Sequence, residues 1–381
     1  MSNIIYTLVV LSCLIGIVTY LIIRFKPSRK TRVKDLYSEG LDMMVLGQLH
    51  SAYNCFKTII QDDTDNIPAY LKLGQVVREG KNPQQALKIH KSLVLRKYLS
   101  VYEKLELHKN LSLDYYDLND YEKSISESEE ILNSDNKNEW ALEHLIKIYK
   151  KLDNWSKATE YLIKLHKIKN IENSSEIGKF KIQEGRKLIK LENYDHSRQL
   201  FEEALSIDKN LFRAYLYIGN SYAKESDKIY TESQSFNPAN TDNVDDKEKY
   251  EHSFTKAKNL LSKAIAMWVQ YIEHTSIDSG KIINSIKDAL YALNRFDDLE
   301  KILKKIIENH PENIHALTHL ADFYDHKGET ENAFEILERA KDKSPDSLFV
   351  KAMYLKLKLK KENLNDLSNK MDSLIQGIGN L

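Results

Sequence analysis

Small residues recur at a spacing that a paired-helix repeat explains. Gly74 stands twelve residues before Ala86, and the same frame shifted back by 34 gives Gly40, Ala52, Phe56 and Ile59. Moving forward, the frame passes through Ser112, Tyr115, Ser124 and Ile131. It then meets Leu145, Tyr149, Ala158 and Leu162, and after them Gly185, Ser197, Phe201 and Ala204. A sixth unit starts at Ile218, Gly219 and Tyr222 and resumes at Ala257, Leu261 and Ala264, after an insertion of about 26 residues. A seventh carries Leu290, Leu299, Leu303 and Ile306, and an eighth Leu317, Ala321, Tyr324, Ala333, Leu337 and Ala340. The physical reason for such a frame is close approach: a small side chain in the first helix admits the second, and large apolar residues fill the space to the next hairpin.

This spacing resembles the tetratricopeptide repeat, and the expected fold is all-α: a superhelical solenoid of about eight to nine helical hairpins. With only 12 Gly and 6 Pro in 381 residues, little interrupts long helices. Hydrophobic residues make up 42%, enough for a sizeable core. The 56 basic and 56 acidic side chains cancel, which argues against nucleic acid as a partner. We expect the repeats over 36–376, interrupted by a polar loop at about 226–250. A last pair of helices, roughly 349–361 and 363–376, precedes a short tail at 377–381.

Residues 4–23 carry no charge, and at helical rise they match a hydrocarbon core roughly 30 Å thick. We expect an N-terminal transmembrane anchor over 1–24, followed by a basic juxtamembrane collar over 25–35. No basic residue precedes the apolar run, whereas Arg24, Lys26, Arg29, Lys30, Arg32 and Lys34 follow it, so the repeats are expected on the cytoplasmic side. Cys13 and Cys55 are the only cysteines, too few for a disulfide framework or a four-thiolate zinc site.

One segment is more specific. Residues 71–93 read LKLGQVVREGKNPQQALKIHKSL, in which Leu73, Gly74, Arg78, Gly80, Ala86, Ile89 and His90 form a pattern that occurs once in the chain. Together with the apolar run and the collar, this segment resembles the lipopolysaccharide assembly protein B family. The resemblance implies a non-enzymatic adaptor at the cytoplasmic face of a bacterial inner membrane. It also implies two partners, a membrane AAA protease and the deacetylase of the lipid A pathway. That family ends in a rubredoxin-like zinc module built on two Cys-x-x-Cys pairs, and no cysteine follows Cys55 here. The alternative is a membrane-anchored co-chaperone or assembly factor for another envelope complex. His90 is expected in the core or between repeats rather than at a catalytic site.

No catalytic motif is recognisable, and no cofactor or metal is expected. His315, His319, Asp322 and His326 share one helical face, but they span about 16 Å of straight helix and cannot converge on one ion. The concave side is more informative. In repeats of this type the first helices line it, which selects Trp140, Lys147, Lys150, Lys151, Lys179, Arg186, Lys190, Arg213, Asn220 and Lys224 as a partner-binding groove. Such a basic strip in a neutral protein suits an acidic peptide segment, with the arginines able to grip carboxylates at two points. A solvated charged face is the alternative reading of the same residues.

Overall fold

The computed structural model describes residues 11–12, 14–20, 29–172, 175–236, 244–275 and 279–361. Among these residues the chain is helical without strands and forms two compact units, 1–170 and 171–381. The first unit holds four hairpins: α1 (Arg29–Val45) with α2 (Leu49–Asp62), α3 (Ile67–Glu79) with α4 (Pro83–Val94), α5 (Val101–Asp117) with α6 (Tyr121–Ser134), and α7 (Glu139–Lys151) with α8 (Trp155–Lys169). The second holds four more: α9 (Ser175–Lys190) with α10 (Tyr194–Ile207), α11 (Arg213–Ser233) with α12 (Val244–His274), α13 (Ser279–Ala292) with α14 (Phe296–Asn309), and α15 (Ile314–Lys327) with α16 (Thr330–Lys343). A final helix, α17 (Leu348–Lys361), packs on α16 and α15.

Local chemistry sets the ends of these helices. Asn66, Asn82, Asn138, Asn154 and Asn313 each accept a backbone N–H from the first turn that follows, and Ser100 with Glu103 forms a reciprocal cap. Each such cap stabilises its helix by about 1 kcal/mol. Every hairpin except the sixth turns through a residue of positive φ placed two positions before the second helix: Gly47, Lys81, Asn119, Asp153, Glu192, Asn294 and Gly328.

Packing within the hairpins follows one rule. The residue four positions after the small residue of the second helix is buried against the first helix: Phe56, His90, Ser128, Leu162, Phe201, Trp268 and Leu337. Where it is a ring, the first helix presents glycine. A Cβ at Gly40 would lie 2.8 Å from Phe56, at Gly74 2.2 Å from the His90 Nε2, at Gly185 2.6 Å from Phe201 and at Gly219 2.5 Å from Trp268. No side chain fits there without displacing the ring.

The sixth hairpin corrects one expectation. Residues 226–233 and 244–250 are helical rather than a polar loop, so most of the inserted length extends α11 and α12; residues 237–243 lie outside the described set. The frame resumes at Ala264, with Trp268 on Gly219, not at Ala257. The signal was weak because the extension is sealed by small polar contacts. Ser226 donates to the Ala257 carbonyl at 2.7 Å, and Ser233 is buried.

The apolar run at 4–23 falls largely outside the described residues. Residues 11–12 and 14–20 are helical and exposed, and no described helix is long and apolar enough to cross a membrane. The expected helix at 363–376 also lies outside the described residues.

Candidate functional site

Three members of the expected basic strip meet in the second unit. Lys179 and Arg186 of α9 and Arg213 at the start of α11 border one cavity of about 390 Å³, whose other walls include Phe212, Tyr217 and Tyr271. Among the described residues no carboxylate lines it. The Arg186 guanidinium lies 5.1 Å from the Tyr217 ring centre and donates to Gln183 Oε1 at 2.8 Å, so it is held in place before any ligand arrives. Lys179 also acts on Asp208, whose carboxyl is held below its usual range, first by a hydrogen bond from Ser175, then by the Asn210 backbone N–H and by the Lys179 charge. A cavity with two arginines and a lysine suits a carboxylate-bearing chain, and its aromatic walls suit the methylene groups beside that carboxylate.

The other expected residues lie elsewhere. Lys190 and Lys224 are exposed but do not line this cavity, and the Asn220 amide is engaged inside its hairpin, accepting from Trp268 Nε1 at 2.9 Å. In the first unit Trp140 stacks on His144 with ring centres 4.9 Å apart, and Lys109 lies 5.2 Å over the indole. Lys147 sits 4.3 Å over Tyr116. Lys150 and Lys151 occupy the exposed last turn of α7, where the helix dipole favours cations. Burial, then the charges of Lys147 and Arg78, lower the His144 pKa to about 4, so the ring under Trp140 is neutral at physiological pH.

A buried polar network in hairpins two and three was not anticipated. Arg78 donates from Nη1 to Asp114 Oδ1 at 2.9 Å and from Nη2 to Asn110 Oδ1 at 3.2 Å. Asp114 Oδ2 lies 2.5 Å from His90 Nδ1, and His90 Nε2 lies 3.2 Å from the Leu71 carbonyl. Asp114 and His90 are fully buried, and Arg78 is 9% exposed. Thus two residues of the distinctive 71–93 segment serve the joint between the second and third hairpins, and His90 sits in the core as expected. Next to this joint, Ser112, Ser124 and Ser128 interlock: Ser112 Oγ donates to the Ser124 carbonyl at 2.9 Å and lies 2.8 Å from Ser128 Oγ. Polar residues on a face that should be apolar were the available signal.

On α15, Asp322 accepts from Lys356 Nζ at 2.6 Å, while His319 is buried beside Phe349 and His315 and His326 are exposed. Burial first, and then the nearby Lys287 charge, lower the His319 pKa to about 4. Among the described residues no group of three or more histidine, cysteine or acidic side chains is placed to hold a metal ion.

A tetratricopeptide repeat model matches residues 315–347, the span of α15 and α16. Lipopolysaccharide assembly protein B of Escherichia coli K12 is 22% identical over 197 residues, 52% of this chain and 51% of that protein. Its namesake from Haemophilus influenzae is 26% identical over 192 residues, 48% of each chain. The chain therefore spans about half the length of the curated relatives it matches. Among solved structures, the C-terminal part of a TPR repeat-containing protein from Cytophaga hutchinsonii aligns over 74% of this chain and 98% of its own, at 14% identity and a TM-score of 0.40. The chain is a protein of stacked helical hairpins that carries a tetratricopeptide repeat and is similar, over about half its length, to lipopolysaccharide assembly protein B.

Proposed function

We propose that this chain is a membrane-tethered adaptor in lipopolysaccharide assembly. In this reading residues 4–23 anchor it in a bacterial inner membrane with the repeats in the cytoplasm, and the repeats bring a membrane AAA protease to the deacetylase of the lipid A pathway. The protein grips rather than reacts: an acidic segment of one partner lies against Lys179, Arg186 and Arg213. The observation that carries the binding step is the cavity where these three cations meet beside Tyr217. Support for the pathway comes from the similarity to lipopolysaccharide assembly protein B. Lys147 and Trp140 form a further contact surface in the first unit.

Arg186→Glu combined with Arg213→Glu tests this reading. Two charge-assisted contacts at about 1.5–3 kcal/mol each predict at least a hundredfold loss of affinity for the protease or the deacetylase. Thermal unfolding should stay unchanged, because both side chains are exposed. Undiminished capture of both partners by the double variant would sink the groove assignment. Unchanged lipopolysaccharide levels and deacetylase turnover on depletion of the protein would count against the pathway.

A further inference from the structure

The connections between hairpins in the first unit differ sharply in chemistry. Residues 63–66 read DTDN and residues 135–138 read DNKN, both polar, as solvent-facing turns should be. The connection between α4 and α5 reads LRKYLS, and with its flanks it exposes Tyr98 at 93%, Leu95 at 87%, Tyr102 at 72%, Val101 at 71% and Val94 at 55%. Five large apolar or aromatic side chains within nine residues form a patch that a water-facing turn does not need.

This loop is not loose. Arg96 Nη1 donates to the Thr64 carbonyl at 2.6 Å and pairs with Asp65 at 3.3 Å, and its guanidinium lies 4.7 Å over Tyr70. Tyr102 borders a cleft of about 760 Å³ whose opposite wall is the start of α1, with Lys30, Lys34 and Tyr37. Among the described residues Asp63 is the one acid on that cleft. Through Tyr102, at its C-terminal end, the apolar patch thus borders the collar end of α1 with Lys30 and Lys34, and the connection itself adds the exposed Lys97.

We propose that this surface is a membrane contact: the loop lies on anionic lipid, with Tyr98 and Leu95 at the headgroup boundary and the lysines over lipid phosphates. Tyrosine is favoured at that boundary because its ring is apolar and its hydroxyl stays wet, while nearby lysines gain from the negative surface. The proposal rests on the tethered reading above. Six residue steps separate Ile23 from Arg29, so the collar helix starts within roughly 20 Å of the end of the apolar run. Lipid contact here would fix how the first unit stands on the bilayer, beyond merely keeping it nearby.

The full chain reconstituted into bilayer discs of phosphatidylglycerol and phosphatidylcholine carrying a photoactivatable lipid provides the test. After illumination and digestion, we expect lipid adducts on the peptide covering 95–102 as well as on 4–23. The 95–102 adducts should fall severalfold in discs of phosphatidylcholine alone and be lost in Leu95→Ser combined with Tyr98→Ser. Adducts confined to 4–23 would overturn the proposal and leave the tether standing, whereas a chain that does not associate with the discs would overturn both. Cross-links joining 95–102 to another protein or to a second copy, without lipid adducts, would make the patch a protein contact and overturn it as well.

Discussion

In the fifth hairpin an apolar ring, Phe201, lies on the bare backbone of Gly185; in the second, His90 occupies the same place on Gly74 and reaches on to Asp114. The two arrangements share a geometry and differ in what they demand of their surroundings. Phe201 needs only volume. His90 needs Asp114, which needs Arg78, which needs Asn110, so four polar side chains must be placed together across two hairpins. Apolar packing tolerates repetition of the unit, whereas the polar joint ties two particular units in one register. This difference explains why residues 71–93 depart from the other repeats.

Breaking the polar joint should show the largest effect. Asp114→Ala leaves Arg78 buried without its carboxylate, an expected loss of about 3–5 kcal/mol. Hydrogen exchange should then accelerate across α3 to α6, while the second unit stays protected. If α13 to α16 exchanged equally fast, the joint would not be local.

Acid should weaken both units, each through one buried histidine. His144 and His319 titrate at about 4 against an ordinary 6.5, so between these values the unfolded chain takes up protons that the folded chain refuses. Their stabilisation is complete above pH 6.5 and is lost as the pH falls toward 4, by up to about 3 kcal/mol each. His144→Gln should remove this part of the acid sensitivity from the first unit alone, measured by denaturant midpoints at pH 7 and pH 4.5.

A methyl group added at the glycines compares the two arrangements directly. Gly185→Ala meets a ring that can shift, at about 1–3 kcal/mol. Gly74→Ala meets His90, which is held at both nitrogens, and should cost more; equal losses would mean that the polar joint yields as easily as an apolar one. The smallest change is in the third hairpin. Ser128→Ala removes one hydrogen-bond partner at about 1 kcal/mol, whereas Ser112→Gly with Ser128→Phe copies the fifth hairpin and should come within about 1 kcal/mol of the parent.

The hairpins were legible because their frame depends on size: Gly, Ala and Ser at fixed spacing, with caps and turns that agree. Partners from different hairpins were harder to read. His90 is expected in the core or between repeats, but nothing along the chain pairs it with Asp114, twenty-four residues later. In the basic strip, Lys179, Arg186 and Arg213 met because the first two lie seven residues apart, about two turns along one face of α9, and Arg213 opens α11. Asn220 failed as a groove residue because Trp268, arriving after the long extension, took its side chain. That extension was misread as a loop because Ser226 and Ser233, which seal it, look like solvent-facing residues in sequence.

The hairpin turns also have an engineering consequence. Lys81 and Glu192 hold φ near 65° and 60°, a conformation in which a Cβ is crowded, yet Gly47 and Gly328 fill the same place without that crowding. Five of the seven turns of this kind thus retain unused headroom. Homologues or designed variants could accumulate glycine there and tolerate costlier changes in the groove, so binding preference could drift while the scaffold endures.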